Sequence, residues 1–138
     1  MKKEDIEQPT IMVCVSRTWG EALQSKVTGK RVSLEDCARG YWRLSRSSRA
    51  AKAKWLMAFD KAVIVGVWKI GEKGWMRCEE SPKKTWPEDL VNLKDAELRR
   101  VCEVLPVDQK VWNKYVGVRI CDIEGLDPRG GCIKYTYE

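Results

Sequence analysis

A chain of 138 residues, 43% of them hydrophobic and 33% charged, is long enough for a single domain with its own core and too apolar to be disordered. It contains no histidine, which excludes Ser-His and Cys-His nucleophilic pairs, histidine-ligated metals and histidine proton shuttles. The net charge is +6, and all of it lies in residues 30–54. There eight basic groups (Lys30, Arg31, Arg39, Arg43, Arg46, Arg49, Lys52, Lys54) stand against two acidic ones (Glu35, Asp36), while the segments on either side are each neutral.

In chain order, Met1–Asp5 is charged and no apolar signal core follows it. Nowhere does an apolar run reach the ~18 residues of a membrane span. The expected location is therefore cytoplasmic, with no membrane partner. Ile11–Ser16 is a short β-branched run and reads as a strand. Residues 17–32 read as a loop, with Gly20 and Gly29 as breakers. Ser33 can cap a helix, and Asp36 three residues on forms a weak capping box. Leu34, Cys37, Ala38, Tyr41 and Trp42 then follow the spacing of one buried helical face. A second short helix is expected over about Arg46–Ala53, capped by Ser45.

The clearest strands follow. Trp55–Phe59 is continuously apolar, Asp60-Lys61 is a tight turn, and Ala62–Ile70 is rich in Val and Ile. Gly71–Gly74 reads as another hairpin turn, with Trp75–Cys78 returning, so the pattern is an antiparallel meander at the heart of the fold. Ser81–Pro87 is a Pro- and Lys-containing loop. Asp95–Val104 fits a helix with Leu98, Val101 and Cys102 facing inward, and Asp108–Tyr115 fits another, ended by Gly117. Asp127–Gly131 is a turn, and Cys132–Tyr137 closes the chain as a strand with Ile133, Tyr135 and Tyr137 on one face. The expected class is α+β: a small, mostly antiparallel curved sheet or β-barrel with several short flanking helices.

Charge concentrated in one segment attracts polyanions, and five of its eight cations are arginines, which suit bidentate phosphate contacts and stacking. No acidic residue occurs from Arg39 to Lys54, so the usual i,i+4 carboxylate partners of a solvated helix are missing. Candidate nucleic-acid ligands are Arg39, Arg43, Arg46, Arg49, Lys52 and Lys54, with Tyr41, Trp42 and Trp19 as stacking faces. Trp42 also continues the apolar helix stripe and reads slightly more readily as core. Trp55 and Trp68 lie on apolar strands and read as core.

Other motifs carry little. Gly66–Lys73 resembles a P-loop but has Glu72 where the lysine belongs, and Gly71-Glu-Lys-Gly74 has the GxxG of a KH loop but lies between strand patterns rather than helices. The six cysteines (14, 37, 78, 102, 121, 132) form no CxxC and read as reduced, small apolar residues. Glu79-Glu80 and Glu88-Asp89 fall in polar loops. No metal set, catalytic residue or cofactor is expected.

Three stretches together resemble a known family pattern: Ala38-Arg-Gly-Tyr-Trp-Arg-Leu-Ser45, Arg49-Ala-Ala-Lys-Ala-Lys54 and Trp55–Trp68, with Tyr115-Val-Gly-Val-Arg119 as a closing element. They are similar to bacterial and phage domains of the PUA-like superfamily, which includes PUA, ASCH and EVE domains. The resemblance covers about residues 11–78 and 112–137, with about 81–107 reading as an insertion. Where those domains end in an Asn-Pro-containing element, this chain has Gly131-Cys-Ile-Lys-Tyr135. The resemblance implies a small curved barrel with helices at its ends that binds RNA or DNA, in some members a modified base, in a cleft edged by aromatic and basic residues. The alternatives are a protein-interaction or regulatory module of phage type, using the segment at Asp95–Val104, and a metal-independent ASCH-like ribonuclease built on Lys54, Tyr41 and Arg43.

Overall fold

A computed structural model of the chain describes residues 1–16, 34–40, 42–43, 47–77, 99–126 and 131–137, of which 36, 43, 47, 48, 77 and 99 are described by backbone alone. The loop over 17–32, the Ser33 and Ser45 caps, the carboxylate pairs at 79–80 and 88–89, the loop at 81–87 and most of the turn at 127–131 lie outside the described residues. The elements are β1 (Thr10–Cys14), α1 (Leu34–Arg39), β2 (Trp42–Arg43), α2 (Ser47–Ala50), β3 (Trp55–Asp60), β4 (Val63–Arg77), β5 (Arg99–Pro106), α3 (Gln109–Tyr115) and β6 (Ile133–Tyr135), with 3-10 turns at Lys3–Asp5 and Ile120–Asp122.

The fold is α+β and mostly sheet. Six strands lie in the order β2-β5-β4-β3-β1-β6. Four of the five pairings are antiparallel, and β1 runs parallel to β3, with Thr10 beside Trp55 and Cys14 beside Phe59. The barrel expected as one alternative is corrected to an open sheet. Among the described residues β2 and β6 are its two edges, four strands apart, and a barrel needs its edges hydrogen-bonded to each other.

Strand alternation divides the core into two layers. Ile11, Val13 and Val15 of the first strand region join Leu56, Ala58, Trp68 and Cys102 beneath Cys37, Ala38 and Ala50 of α1 and α2. On the opposite face Met12, Trp55, Met57, Phe59, Ile64 and Val67 pack against Tyr115 of α3 and against Ile120, Ile123 and Leu126. With both faces covered, β3 is buried from Trp55 to Phe59, and a continuously apolar strand is what such a position requires. Trp55 and Trp68 are core residues, as read from the sequence. α3 starts where expected, with the Asp108 carboxylate accepting from the Lys110 amide at 2.9 Å.

Three local expectations are corrected. The helix over 33–42 stops at Arg39: Gly40 follows as a bend, and Trp42 belongs to β2, where it pairs with Arg100. The hairpin at Gly71–Gly74 does not exist, because β4 continues through it. Ile70 pairs with Val104 and Trp75 with Cys102, so residues 71–74 stand opposite Glu103 alone as a large bulge. Gly74 has φ +57°, a conformation that favours glycine, and Gly71 lies against the Glu103 carboxyl group, where a Cβ would displace that flexible side chain. Finally, the helix expected over Asp95–Val104 is strand from Arg99 onward. Val101 and Cys102 fit a helical stripe, but tertiary pairing with β4 and β2 overrides it and buries both fully. Residues 99–106 therefore lie inside the sheet.

The turn joining β3 to β4 has Lys61 at φ +50° and Ala62 at φ +64°, the signature of a type I′ hairpin, which favours Asn-Gly. Neither residue is at ease in the left-handed region. The double change Lys61→Asn, Ala62→Gly is expected to stabilise the fold by about 1–2 kcal/mol, seen as a higher urea midpoint with an unchanged slope. A lower midpoint would show that the turn is not under backbone strain.

Candidate nucleic-acid interface

The register of β2, β5 and β4 gathers arginines at one end of the sheet. Arg43 on β2 stands opposite Arg99 on β5. One residue along, Arg100 stands opposite Arg77 on β4, with Trp42 opposite it on the other side. Directly opposed residues in antiparallel strands sit about 4.5–5.5 Å apart at Cα. The two arginine pairs thus occupy neighbouring register positions at one end of the sheet, on alternate faces because Arg99 and Arg100 are consecutive on β5. The bulge at 71–74 sets this register, because it shifts Arg77 by three positions relative to the first half of β4. Without that shift Arg77 would not meet Arg100.

Of the residues singled out in the sequence, Arg43 falls in this row. Arg39, the last residue of α1, is 4% exposed and lies close enough to Cys102 for its charge to act on the thiol. Burial pushes the Cys102 thiol well above its ordinary range, with the Arg39 charge opposing and Glu103 adding to the shift. A cation so enclosed is not open to a phosphate from solvent. Trp42 is half-buried, packs against the core and donates its indole N–H to the Ala38 carbonyl at 2.7 Å. Lys52 and Lys54 are exposed, on the link from α2 to β3. Trp19, Tyr41 and Arg46 lie outside the described residues.

Arg49 is part of a clasp. Its guanidinium lies 4.1 Å from the centre of the Tyr135 ring and donates from Nη2 to the Tyr137 carbonyl at 3.1 Å. The Tyr137 hydroxyl donates back to the Arg49 carbonyl, and the Tyr135 and Tyr137 rings meet edge-on at 5.5 Å. Burial raises both tyrosine hydroxyls above their ordinary range, Tyr137 to about 12, with the Arg49 charge opposing the shift in each. Arg49 therefore ties the edge strand β6 to α2.

Sequence reasoning missed Arg77, Arg99 and Arg100. The signal was present in Arg99-Arg100 leading into Val101–Val104, a β-prone run whose helical periodicity masked it. Comparison with protein-family models, with curated proteins and with solved structures finds no match.

Proposed function

We propose that the chain is a non-catalytic nucleic-acid-binding module, PUA-like in kind, that takes RNA or DNA phosphates on the β2–β5–β4 end of its sheet. The observation that carries this reading is the register: Arg43 opposite Arg99, and Arg77 opposite Arg100. Arginines at such neighbouring register positions can offer a phosphate paired, charge-assisted hydrogen bonds. The excess positive charge of residues 30–54, the exposed Lys52 and Lys54, and the resemblance to nucleic-acid-binding domains support the same reading.

The test uses the double variant Arg43→Gln, Arg99→Gln and fluorescence anisotropy with short labelled single- and double-stranded RNA and DNA at two salt concentrations. The variant is expected to bind about tenfold or more weakly, with the slope of log affinity against log salt reduced by roughly 2. Its thermal midpoint should hold. This combination separates a binding site from a structural one. Unchanged affinity, or no salt-dependent binding by the parent protein at low salt, overturns the reading.

A further inference from the structure

We propose that Cys14 and Cys132 are an oxidisable pair, closing into a cross-strand disulfide that locks the edge strand β6 onto β1. The two cysteines are 118 positions apart in the chain. The antiparallel register of β1 and β6 runs Ile11 with Tyr135, Met12 with Lys134 and Val13 with Ile133, and the next step is Cys14 with Cys132. The Cys14 amide donates to the Cys132 carbonyl at 2.7 Å, so the ladder extends to this pair. Residues opposed in a hydrogen-bonded antiparallel pair have Cα atoms about 5.5 Å apart, inside the range that a disulfide spans. Both thiols are free, and the Cys14 side chain is near enough to act on the Cys132 thiol.

Their surroundings assign the roles. Cys132 is exposed and can be attacked from solvent, whereas Cys14 is half-buried, with its Sγ 3.5 Å from the Ser16 hydroxyl. Cys37 and Cys102, by contrast, are buried. With a low-molecular-weight disulfide such as oxidised glutathione as the oxidant, the Cys132 thiolate attacks one of its sulfurs and releases one glutathione thiolate. Cys14, deprotonated, then attacks Cys132 Sγ, breaks the mixed disulfide and releases the second. The two cysteine protons end on the two glutathione thiols, so two electrons leave the protein and reduce one oxidant molecule. Burial and the neighbouring Cys14 raise the Cys132 thiol above its ordinary range, so little thiolate is present at neutral pH and the exchange is slow there.

The bridge would act on what β6 carries. Tyr135 and Tyr137 hold Arg49, so the strand links the C-terminal end of the chain to α2. Closing a loop of this length removes much of the unfolded chain's freedom, and β6 could then not peel from β1.

The experiment equilibrates the full chain in reduced and oxidised glutathione at pH 8.5. Free thiols are then alkylated, and unreduced peptides are mapped by mass spectrometry. The expected product is a Cys14–Cys132 cross-linked peptide, with a thermal midpoint raised by on the order of 10 °C and restored by reductant. Cys132→Ser should lose both, and Cys14→Ser should stop at glutathione on Cys132. A parent protein that stops at that mixed disulfide, or whose bridges map to Cys78 or Cys121, overturns the pairing. A Cys14–Cys132 bridge that leaves the midpoint unmoved overturns the lock.

Discussion

Replacing Tyr115 by alanine is expected to lower stability by about 3–5 kcal/mol, enough to leave the protein marginal or unfolded. Tyr115 ends α3, is fully buried, and meets Trp55 edge-to-face with ring centres 5.6 Å apart. It fills the middle of the layer formed by Met12, Met57, Ile64, Ile120 and Ile123, and truncation leaves a ring-sized cavity among residues already pinned by the sheet. Its hydroxyl accepts from the Glu7 amide at 3.3 Å, a long bond near exposed backbone that water can replace. Tyr115→Phe should therefore cost no more than about 1 kcal/mol. Urea denaturation of the two variants checks the contrast. Equal losses would place the energy in the hydrogen bond and not in the packing. Because Tyr115 contributes no residue to the β2–β5–β4 end, Tyr115→Phe should bind nucleic acid as the parent does.

What could be read in advance was what local pattern controls. The apolar run 55–59, the β-branched run over Ala62–Ile70, the helical pattern over Asp108–Tyr115 and the alternation of Ile133, Tyr135 and Tyr137 each lie in a single segment, and each element formed there. What was not legible depends on partners distant in sequence. The stretch Arg99–Pro106 satisfies both a helical and a strand pattern, and only the adjacent β4 and β2 decide between them. The glycines at 71 and 74 promise a reversal, but both arms of β4 pair with the same strand, so the glycines accommodate a bulge instead. The parallel pairing of β1 with β3 leaves no local trace at all. The candidate site inherits these limits. Charge counting located Arg43, but Arg77, Arg99 and Arg100 sit in segments of zero net charge and join the row only through register. Cys14 and Cys132 meet for the same reason.

Arg49 shows how charge alone misassigns a role, and its substitution is the second large effect expected. Arg49→Ala removes a charged hydrogen bond to the Tyr137 carbonyl and the stacking on Tyr135, a loss of about 2–3 kcal/mol. Arg49→Glu should cost at least as much, because it places a carboxylate against a carbonyl oxygen and a π face. Arg49→Lys keeps the charge without the planar fork, so it should recover only part of the loss. Hydrogen exchange at the Thr136 amide, which donates to the Thr10 carbonyl, reads the release of β6 directly. A simple phosphate ligand would behave otherwise: lysine would restore affinity, and exchange at Thr136 would not move. The clasp also carries a pH signature. Tyr137 has its hydroxyl raised to about 12 in the fold, against about 10 for a tyrosine in the unfolded chain. A raised value means that the folded state holds the proton more tightly, so the stabilisation is complete below pH ~10 and is lost as pH climbs towards ~12. The chemistry agrees with the sign, since a phenolate cannot donate to the Arg49 carbonyl and the clasp opens as Tyr137 ionises. Tyr137→Phe should be less stable than the parent at pH 8 but should lose less between pH 10 and 12. An identical alkaline profile in the two proteins would move the titration elsewhere, with Tyr135, also raised by burial, the next group to replace.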